Sequence, residues 1–229
     1  NDAMIDMESL LGRRCYGGFD LSTREDFTAA ALEFPLDDGR VFVLLHTWVP
    51  RRKVELDQEK IDYYGLAMRG HLTIVEGEYV RQEDVYEWFC EQAKKYEIVA
   101  IGYDPANATR LRQMLEGRGF ACEAVRQGPV TLNDPMKDIK ELLLAGRVVS
   151  NRDPMLLWYT DNVRLSGERR HADKQNWMPT KRNKFRKIDG FMAWLDAHCI
   201  NMQKNPAGEI YHKPAVRVID IRSRHRAAR

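Results

Sequence analysis

The chain has 229 residues, 44% of them hydrophobic and 31% charged, and its formal net charge at pH 7 is +2. This composition predicts a soluble globular protein with one core and excludes low-complexity or disulfide-dense chains. The four cysteines form no CxxC pair, and the sequence has no run of about 18 apolar residues and no signal-peptide pattern. We therefore expect no zinc knuckle, no membrane association and a cytoplasmic location.

The first part of the chain predicts a three-stranded meander. "CYGGFDLS" and "FTAAALEF" have the composition of strands, and Asp38-Gly39 supplies hairpin turn chemistry before a third strand, "VFVLLHTWV". A helical pattern then begins at Asp84, followed by "IVAIGY" at 98–103. Because this run shows no polar alternation, we expect a strand buried on both faces, as in a parallel sheet covered by helices.

The second part of the chain alternates between helices and short strands. Asp104-Pro105 predicts a helix start, with the helix running to about Gly117, and "FACEAV" predicts another strand. Further helices are predicted over 134–145, 154–163 and 188–202, the last with a single core-facing apolar stripe. Together these elements predict an α/β fold with a mixed sheet and helices on both faces.

Three aspartates stand at positions that chemistry can use. Asp20 ends the first strand and Asp104 ends the buried one, so the two strand ends lie roughly 4.8 Å apart if the strands are neighbours. Asp189 begins the last helix and could lean over the same sheet edge. Carboxylate oxygens are the ligands that Mg²⁺ and Mn²⁺ prefer, so this edge is a candidate site for two divalent metal ions.

Each acid also has a purely structural interpretation. Asp104 before Pro105 is a good helix N-cap, and Asp189 in a first helical turn is favoured by the helix dipole. Asp26 fits turn chemistry, and Asp196 is expected to be a surface residue. Asp20 is harder to explain structurally, because an acid directly after an apolar strand needs a partner or solvent.

The charge of the chain is unevenly distributed. Residues 164–187 carry nine Lys or Arg against two acids, and residues 213–229 carry six against one, which leaves −10 for the rest of the chain. Two basic segments on an acidic body indicate a polyanionic partner such as nucleic acid, although a solvated loop and tail would have the same composition.

Five motifs, in order along the chain, resemble the C-terminal nuclease domain of the large terminase subunit of tailed bacteriophages, an RNase H-like fold. They are "GRRCYGGFDLSTREDFTA", "IVAIGYDPANA", "RQGPVTLNDPMKDIKELLLAGRV", "DPMLLWYTDNV" and "KIDGFMAWLDA". The resemblance implies an RNase H-like nuclease domain over residues 12–205, preceded by an N-terminal extension, 1–11, and followed by a basic tail, 206–229.

The resemblance implies that Asp20, Asp104 and Asp189 are the catalytic, metal-binding acids of an endonuclease. This enzyme would cleave concatemeric double-stranded DNA with two Mg²⁺ or Mn²⁺ ions in the cytoplasm of a bacterial host. Its partners would be a packaging ATPase, the portal and the small terminase subunit. The chain has no GxxxxGK[ST] phosphate loop, so ATP hydrolysis is not assigned to it. The basic segment would hold the DNA backbone through Lys174, Lys181, Arg182, Lys184, Arg186 and Lys187.

Two alternatives come from other classes of protein. "FDLST" weakly resembles the phosphate turn of actin-like phosphotransferases, but Ser22 occupies the position where that turn needs glycine. A non-catalytic RNase H-like module that binds DNA or the portal is the second alternative, and it is preferred if the three acids lie more than about 10 Å apart.

Overall fold

A computed structural model describes residues 3–22, 26–166, 177–183 and 186–205. A 3-10 turn (Met7–Leu10) precedes the strands β1 (Arg14–Asp20), β2 (Thr28–Pro35), β3 (Val41–Pro50), β4 (Thr73–Val75), β5 (Glu97–Tyr103), β6 (Cys122–Ala124), β7 (Val148–Val149), β8 (Val163–Ser166) and β9 (Met178–Lys181). The helices are α1 (Arg51–Leu56), α2 (Tyr63–Met68), α3 (Gln82–Ala93), α4 (Thr109–Arg118), α5 (Pro129–Leu144), α6 (Pro154–Asn162) and α7 (Asp189–Lys204).

Seven strands form one mixed sheet in the order β4-β3-β2-β1-β5-β6, with β7 paired to β3. The first three strands are the predicted antiparallel meander, and β5 runs parallel to β1 and to β6. Strands β8 and β9 form a separate antiparallel hairpin. The prediction of a mixed α/β sheet is therefore confirmed.

Helices cover both faces of the sheet, and the alternation along β2 divides its side chains between two cores. Ala29 and Ala31 pack in the core that contains α5, α6 and α7. Ala30 and Leu32 pack in the core that contains α3 and α4. The central strands are apolar on both sides because neither face meets solvent. Within the predicted N-terminal extension, Leu10 is buried in the second of these cores.

Helix α7 lies unusually close to the sheet because two glycines face it. A Cβ at Gly18 would lie 2.2 Å from the Ala193 carbonyl oxygen, and one at Gly102 would lie 2.5 Å from that of Asp196. The prediction of a single apolar stripe on this helix is wrong, because residues on its other faces, including Ala197 and His198, are also buried. The helix is covered by the sheet below and by α5 and α6 at its sides.

Other differences from prediction concern helix boundaries. Helix α4 begins at Thr109 rather than at Asp104, whose carboxylate instead accepts a hydrogen bond from the Ala106 N–H at 3.0 Å. Asp104 therefore closes a short turn at the strand end and does not cap the helix. The short helices α1 and α2 and the β8–β9 hairpin have no periodic sequence signal and were not predicted. No helix in the described ranges is long and apolar enough to span a membrane.

Candidate active site

The ends of two parallel strands bring Asp20 and Asp104 to one edge of the sheet. Phe19 of β1 is in register with Tyr103 of β5, so the two aspartates follow at neighbouring positions. Adjacent strands lie roughly 4.8 Å apart. The predicted proximity of these two strand ends is therefore present in the structure.

Asp20 lies in the electrostatic field of several other carboxylates. Burial raises the pKa of Asp20 well above its usual value, and the charges of Asp189, Asp196 and Asp104 raise it further. Lys181 acts in the opposite direction. Carboxylates that raise one another's pKa in this way form a site where a cation is favoured.

Asp189, the first residue of α7, is half-buried near Asp20. Burial and the charge of Asp26 raise the pKa of Asp189 to about 6, against the opposing effect of Lys181 and Lys187. One carboxylate oxygen, Oδ2, is buried and has no hydrogen-bond partner among the described residues. Buried polar atoms in folded proteins nearly always have a partner, so this oxygen is available to a ligand.

Asp196 is buried beside Asp104, with 1% of its surface exposed. Its Oδ1 accepts a hydrogen bond from Gln127 Nε2 at 3.0 Å, and its carboxylate also accepts one from the backbone of Asp104. The expectation that Asp196 is a surface residue is therefore wrong, because this side of α7 packs over β5. Asp196 fixes the backbone of one candidate ligand.

Asp26 lies in a bend between β1 and β2, where a turn was predicted, and it also forms an ion pair. Its Oδ1 accepts a hydrogen bond from the Phe27 N–H at 2.9 Å, and its Oδ2 lies 2.5 Å from Lys187 Nζ. The Lys187 side chain is only 11% exposed. Lys187 thus offsets the negative charge at the edge of the acid cluster, which we define as Asp20, Asp26, Asp104, Asp189 and Asp196.

The acid cluster offers oxygen donors of the kind that divalent cations bind. Within the described ranges, no three His, Cys, Asp or Glu side chains are arranged to hold one ion. The acids interact in pairs and through Asp20: the charge of Asp26 acts on Asp189, that of Asp104 acts on Asp196, and those of Asp189, Asp196 and Asp104 all act on Asp20. Mg²⁺ keeps several waters and needs only one or two carboxylates, so these oxygen donors, with the unpartnered Asp189 Oδ2, fit such ions in kind.

The basic residues assigned to DNA occupy different environments. Lys181 on β9 is exposed and close enough to the acids to lower the pKa of Asp20 and Asp189. Arg182 Nη1 lies 3.5 Å from Asp161 Oδ2, and Arg186 lines a groove beside α6. Lys174 and Lys184 lie outside the described residues.

Tyr159 is a site residue that sequence reasoning missed. It is fully buried beneath the start of α7, where a Cβ at Gly190 would lie 2.3 Å from its ring. Burial and the charges of Asp189, Asp26 and Asp20 raise the pKa of Tyr159. Its hydroxyl lies 3.5 Å from Thr47 Oγ1, which donates to it. Only its place within "DPMLLWYTDNV" could have pointed to this residue.

The fold and the acid cluster together define a mixed-sheet α/β protein with a carboxylate site at one sheet edge. A sequence model of the family "terminase large subunit, endonuclease domain" matches residues 1–204. The chain belongs to this family.

Individual proteins show the same relationship. The terminase large subunit of Lactococcus phage SK1 is 28% identical over 189 residues, which cover 79% of this chain and 34% of that protein. The crystal structure of the HK97 bacteriophage large terminase matches with a TM-score of 0.72 at 22% identity, over 86% of this chain and 43% of that one. The large terminase nuclease of thermophilic phage G20c, crystallised with bound magnesium, matches with a TM-score of 0.50 at 12% identity. The match covers 84% of this chain and 94% of that one.

The chain spans less than half the length of the curated relatives it matches, with coverage between 29% and 45% of those proteins. The nuclease of phage G20c, by contrast, is covered almost completely. The similarity therefore concerns the nuclease part of a large terminase.

Proposed function

We propose that this chain is a divalent-metal-dependent endonuclease that cleaves concatemeric double-stranded viral DNA during genome packaging. The observation that carries the proposal is the parallel pairing of β1 and β5, after which Asp20 and Asp104 follow at one sheet edge, together with the charges of Asp189, Asp196 and Asp104 that act on Asp20. Membership of the terminase endonuclease family supplies the reaction class, phosphodiester hydrolysis. The magnesium in the G20c nuclease crystal supports the choice of cation.

In this proposal Asp20, Asp104 and Asp189 would together hold two divalent ions at the sheet edge. Bound Mg²⁺ or Mn²⁺ would supply Lewis-acid stabilisation of the phosphodiester and a lowered pKa for the attacking water. The protein contributes the placement of the acids. Asp196 holds the backbone of Asp104, Tyr159 packs under the helix start that carries Asp189, and the Asp26–Lys187 pair limits the local negative charge.

The DNA backbone would be held beside these acids by the basic residues of the β9 region. Lys181 is the described cation that interacts with both Asp20 and Asp189, so it lies where a phosphate approaching the acids would pass. Such contacts are independent of sequence and weaken with salt. We further propose that the packaging ATPase, the portal and the small terminase subunit are partners in the host cytoplasm.

The experiment is plasmid cleavage in Mn²⁺, in Mg²⁺ and with a chelator, comparing wild type with Asp104→Asn. Wild type should cleave only with a divalent cation, and the variant should lose at least about 100-fold in rate, since an ion-holding carboxylate is removed. The matched control is Asp38→Asn in the hairpin turn after β2, where the carboxylate interacts with Arg40 at the surface. Undiminished cleavage by Asp104→Asn would refute the mechanism.

A non-catalytic module that binds DNA or the portal is the second candidate. It is favoured by the lack, among described residues, of three side chains already arranged around one ion. DNA binding without cleavage under every metal condition would select this candidate over the endonuclease.

A further inference from the structure

A groove of about 670 Å³ is lined by residues of the α1–α2 connection, by Trp158 of α6 and by Asn183 and Arg186. Lys60, Trp158 and Arg186 are among its lining residues. Its volume falls within the range of about 300–1,000 Å³ that is typical of ligand clefts. We propose that this groove binds an unpaired nucleotide of the substrate DNA strand beside the cleavage position. The inference deepens the proposed function and rests on it.

One rim of the groove is held in place by a buried ion pair. Lys53 Nζ lies 2.8 Å from Glu59 Oε1, with both side chains almost fully buried, and the Tyr63 hydroxyl donates to Glu59 at 2.9 Å. The turn around this pair has left-handed backbone at Asp57, with φ 40°, and at Lys60, with φ 53°. Left-handed backbone is costly for residues with a Cβ, so the buried pair holds the turn in a conformation that leaves Lys60 exposed at the rim.

The charge of the groove favours an anion. Glu59 is neutralised by Lys53, whereas neither Lys60 nor Arg186 forms an ion pair with any residue in the described part of the chain. Two cations therefore face the groove without a compensating carboxylate. A phosphodiester is the anion that a DNA-cleaving protein would bring to this place.

Trp158 gives the groove lining an aromatic side chain and connects it to the acid cluster. Trp158 packs against Phe27, with ring centroids 5.7 Å apart, and against Tyr159 at 5.0 Å. Phe27 directly follows Asp26, whose partner Lys187 directly follows Arg186. The groove and the acids are thus neighbours through two separate connections, so a strand that passes the acids can continue into the groove.

A groove lined by an aromatic ring and two cations suits single-stranded nucleic acid in particular. Bases of any sequence can stack on an aromatic ring once they are unpaired, while Lys and Arg hold the flanking phosphates. In an intact duplex the bases are stacked on one another and are not available to Trp158. The groove therefore favours the strand where the duplex is opened over the uncut duplex.

The test uses the complete 229-residue chain and a single-stranded oligonucleotide that contains 2-aminopurine, measured in chelator so that cleavage plays no part. The variant is the double substitution Lys60→Glu and Arg186→Glu. We expect at least a tenfold loss of affinity, and the slope of log K against log salt should fall by about 1.4, since each single-strand phosphate contact contributes about 0.7. The 2-aminopurine signal that reports stacking should also decrease.

The matched control is Lys94→Glu with Arg118→Glu, two exposed residues at the opposite end of the sheet with the same change in charge. A groove variant whose affinity and salt slope equal those of this control would overturn the inference. Plasmid cleavage by wild type with Mn²⁺ is measured separately. If wild type cleaves but the groove variant keeps the wild-type salt slope, the role of the groove is rejected and the endonuclease proposal stands. If wild type does not cleave, the proposed function itself is rejected.

Discussion

Helix α7 contacts a fully buried glutamate and a partly buried group of aspartates, and the two differ in how their charges are compensated. Glu33 on β2 has no exposed surface and is fully bonded by donors of α7. It accepts hydrogen bonds from Trp194 Nε1 at 2.5 Å and Asn201 Nδ2 at 2.6 Å, and its Oε1 lies 2.9 Å from His198 Nδ1. The chain of polar contacts continues from Glu33 through the His198 imidazole to the surface, because His198 Nε2 lies 3.0 Å from Asp138 Oδ2.

The acid cluster includes Asp189 at the start of the same helix and Asp196 on its next turns, and it has fewer compensating donors around Asp20 and Asp189. Asp20, Asp189 and Asp196 repel one another or neighbouring acids, and one oxygen of Asp189 has no partner in the described part of the chain. A buried charge that serves the fold is bonded, as Glu33 is, because an unpaired one is expensive. The difference is what the proposed cation site predicts, because bound divalent ions would supply the compensation that the donors of α7 supply to Glu33.

The largest effect should come from removing the bonded acid. Glu33→Ala leaves the donors of Trp194, His198 and Asn201 buried without an acceptor, so we expect the free energy of unfolding to fall by about 3–5 kcal/mol. Urea denaturation of the variant and wild type measures this change. A loss below about 1 kcal/mol would show that the bonds to Glu33 do not stabilise the fold.

The next effect concerns pH and His198. Burial alone would lower the pKa of His198, but the charges of Glu33 and Asp138 and hydrogen bonds to them outweigh it and raise the pKa to about 9. Because the folded pKa exceeds the unfolded value of 6.5, the stabilisation is complete below that pH and is lost as pH rises through about 9.

The corresponding measurement compares wild type with His198→Gln in urea at pH 6, 8 and 10. The free energy of unfolding of wild type should exceed that of the variant by about 2–3 kcal/mol at pH 6, and this difference should have largely disappeared at pH 10. An advantage that is the same at all three values would show that the imidazole does not carry the proton.

Gly18→Ala should weaken the close approach of α7 that both groups of acids need. Its Cβ would meet backbone atoms of Ala193 and Ala197 at 2.2 and 2.4 Å, so the helix must move. We expect a loss of about 1–3 kcal/mol together with reduced cleavage, since Asp189 moves away from Asp20. Gly117→Ala in α4 is the control, because a Cβ there meets open space. This substitution should raise the free energy of unfolding by about 0.5–1 kcal/mol, since alanine favours a helix over glycine. Equal behaviour of the two variants would exclude this role for Gly18.

The smallest effect should have the opposite sign. Asp189→Asn removes a carboxylate whose pKa is raised to about 6 from 3.8, so without metal the variant should be more stable by about 1 kcal/mol above pH 6. At about pH 4 the folded group is protonated and the unfolded one is about half ionised, so most of the difference should have disappeared. Thermal unfolding in chelator at pH 4 and pH 8 measures this difference. A variant that is less stable than wild type at pH 8 would show that Asp189, like Glu33, stabilises the fold.

Sequence patterns predicted the parts of the site that depend on strand ends. The apolar run before Asp104 and the strand before Asp20 were enough to place both acids at strand ends, because the number of residues along a strand determines its end. Asp196 was misplaced because helical periodicity assumes one solvent-facing side, and α7 has almost none. The donors of Glu33 could not be predicted, since its Trp194, His198 and Asn201 contacts join residues more than 160 positions apart.

The close contact at Gly18 shows a further limit. A glycine within a strand can indicate a bulge, a bend or a close backbone approach, and the sequence alone does not distinguish these. Here the approach of α7 decides where Asp189 and Asp196 lie relative to the sheet edge. The site therefore depends on packing that only the folded chain defines.

The central claim is that the unbalanced acids around Asp20 gather divalent cations. Its most direct test is anomalous diffraction from crystals of wild type soaked in Mn²⁺. The account predicts manganese peaks in contact with Asp20, one beside Asp189 and one beside Asp104. Well-diffracting crystals that carry no manganese at Asp20, or carry it only at distant surface acids, would contradict it.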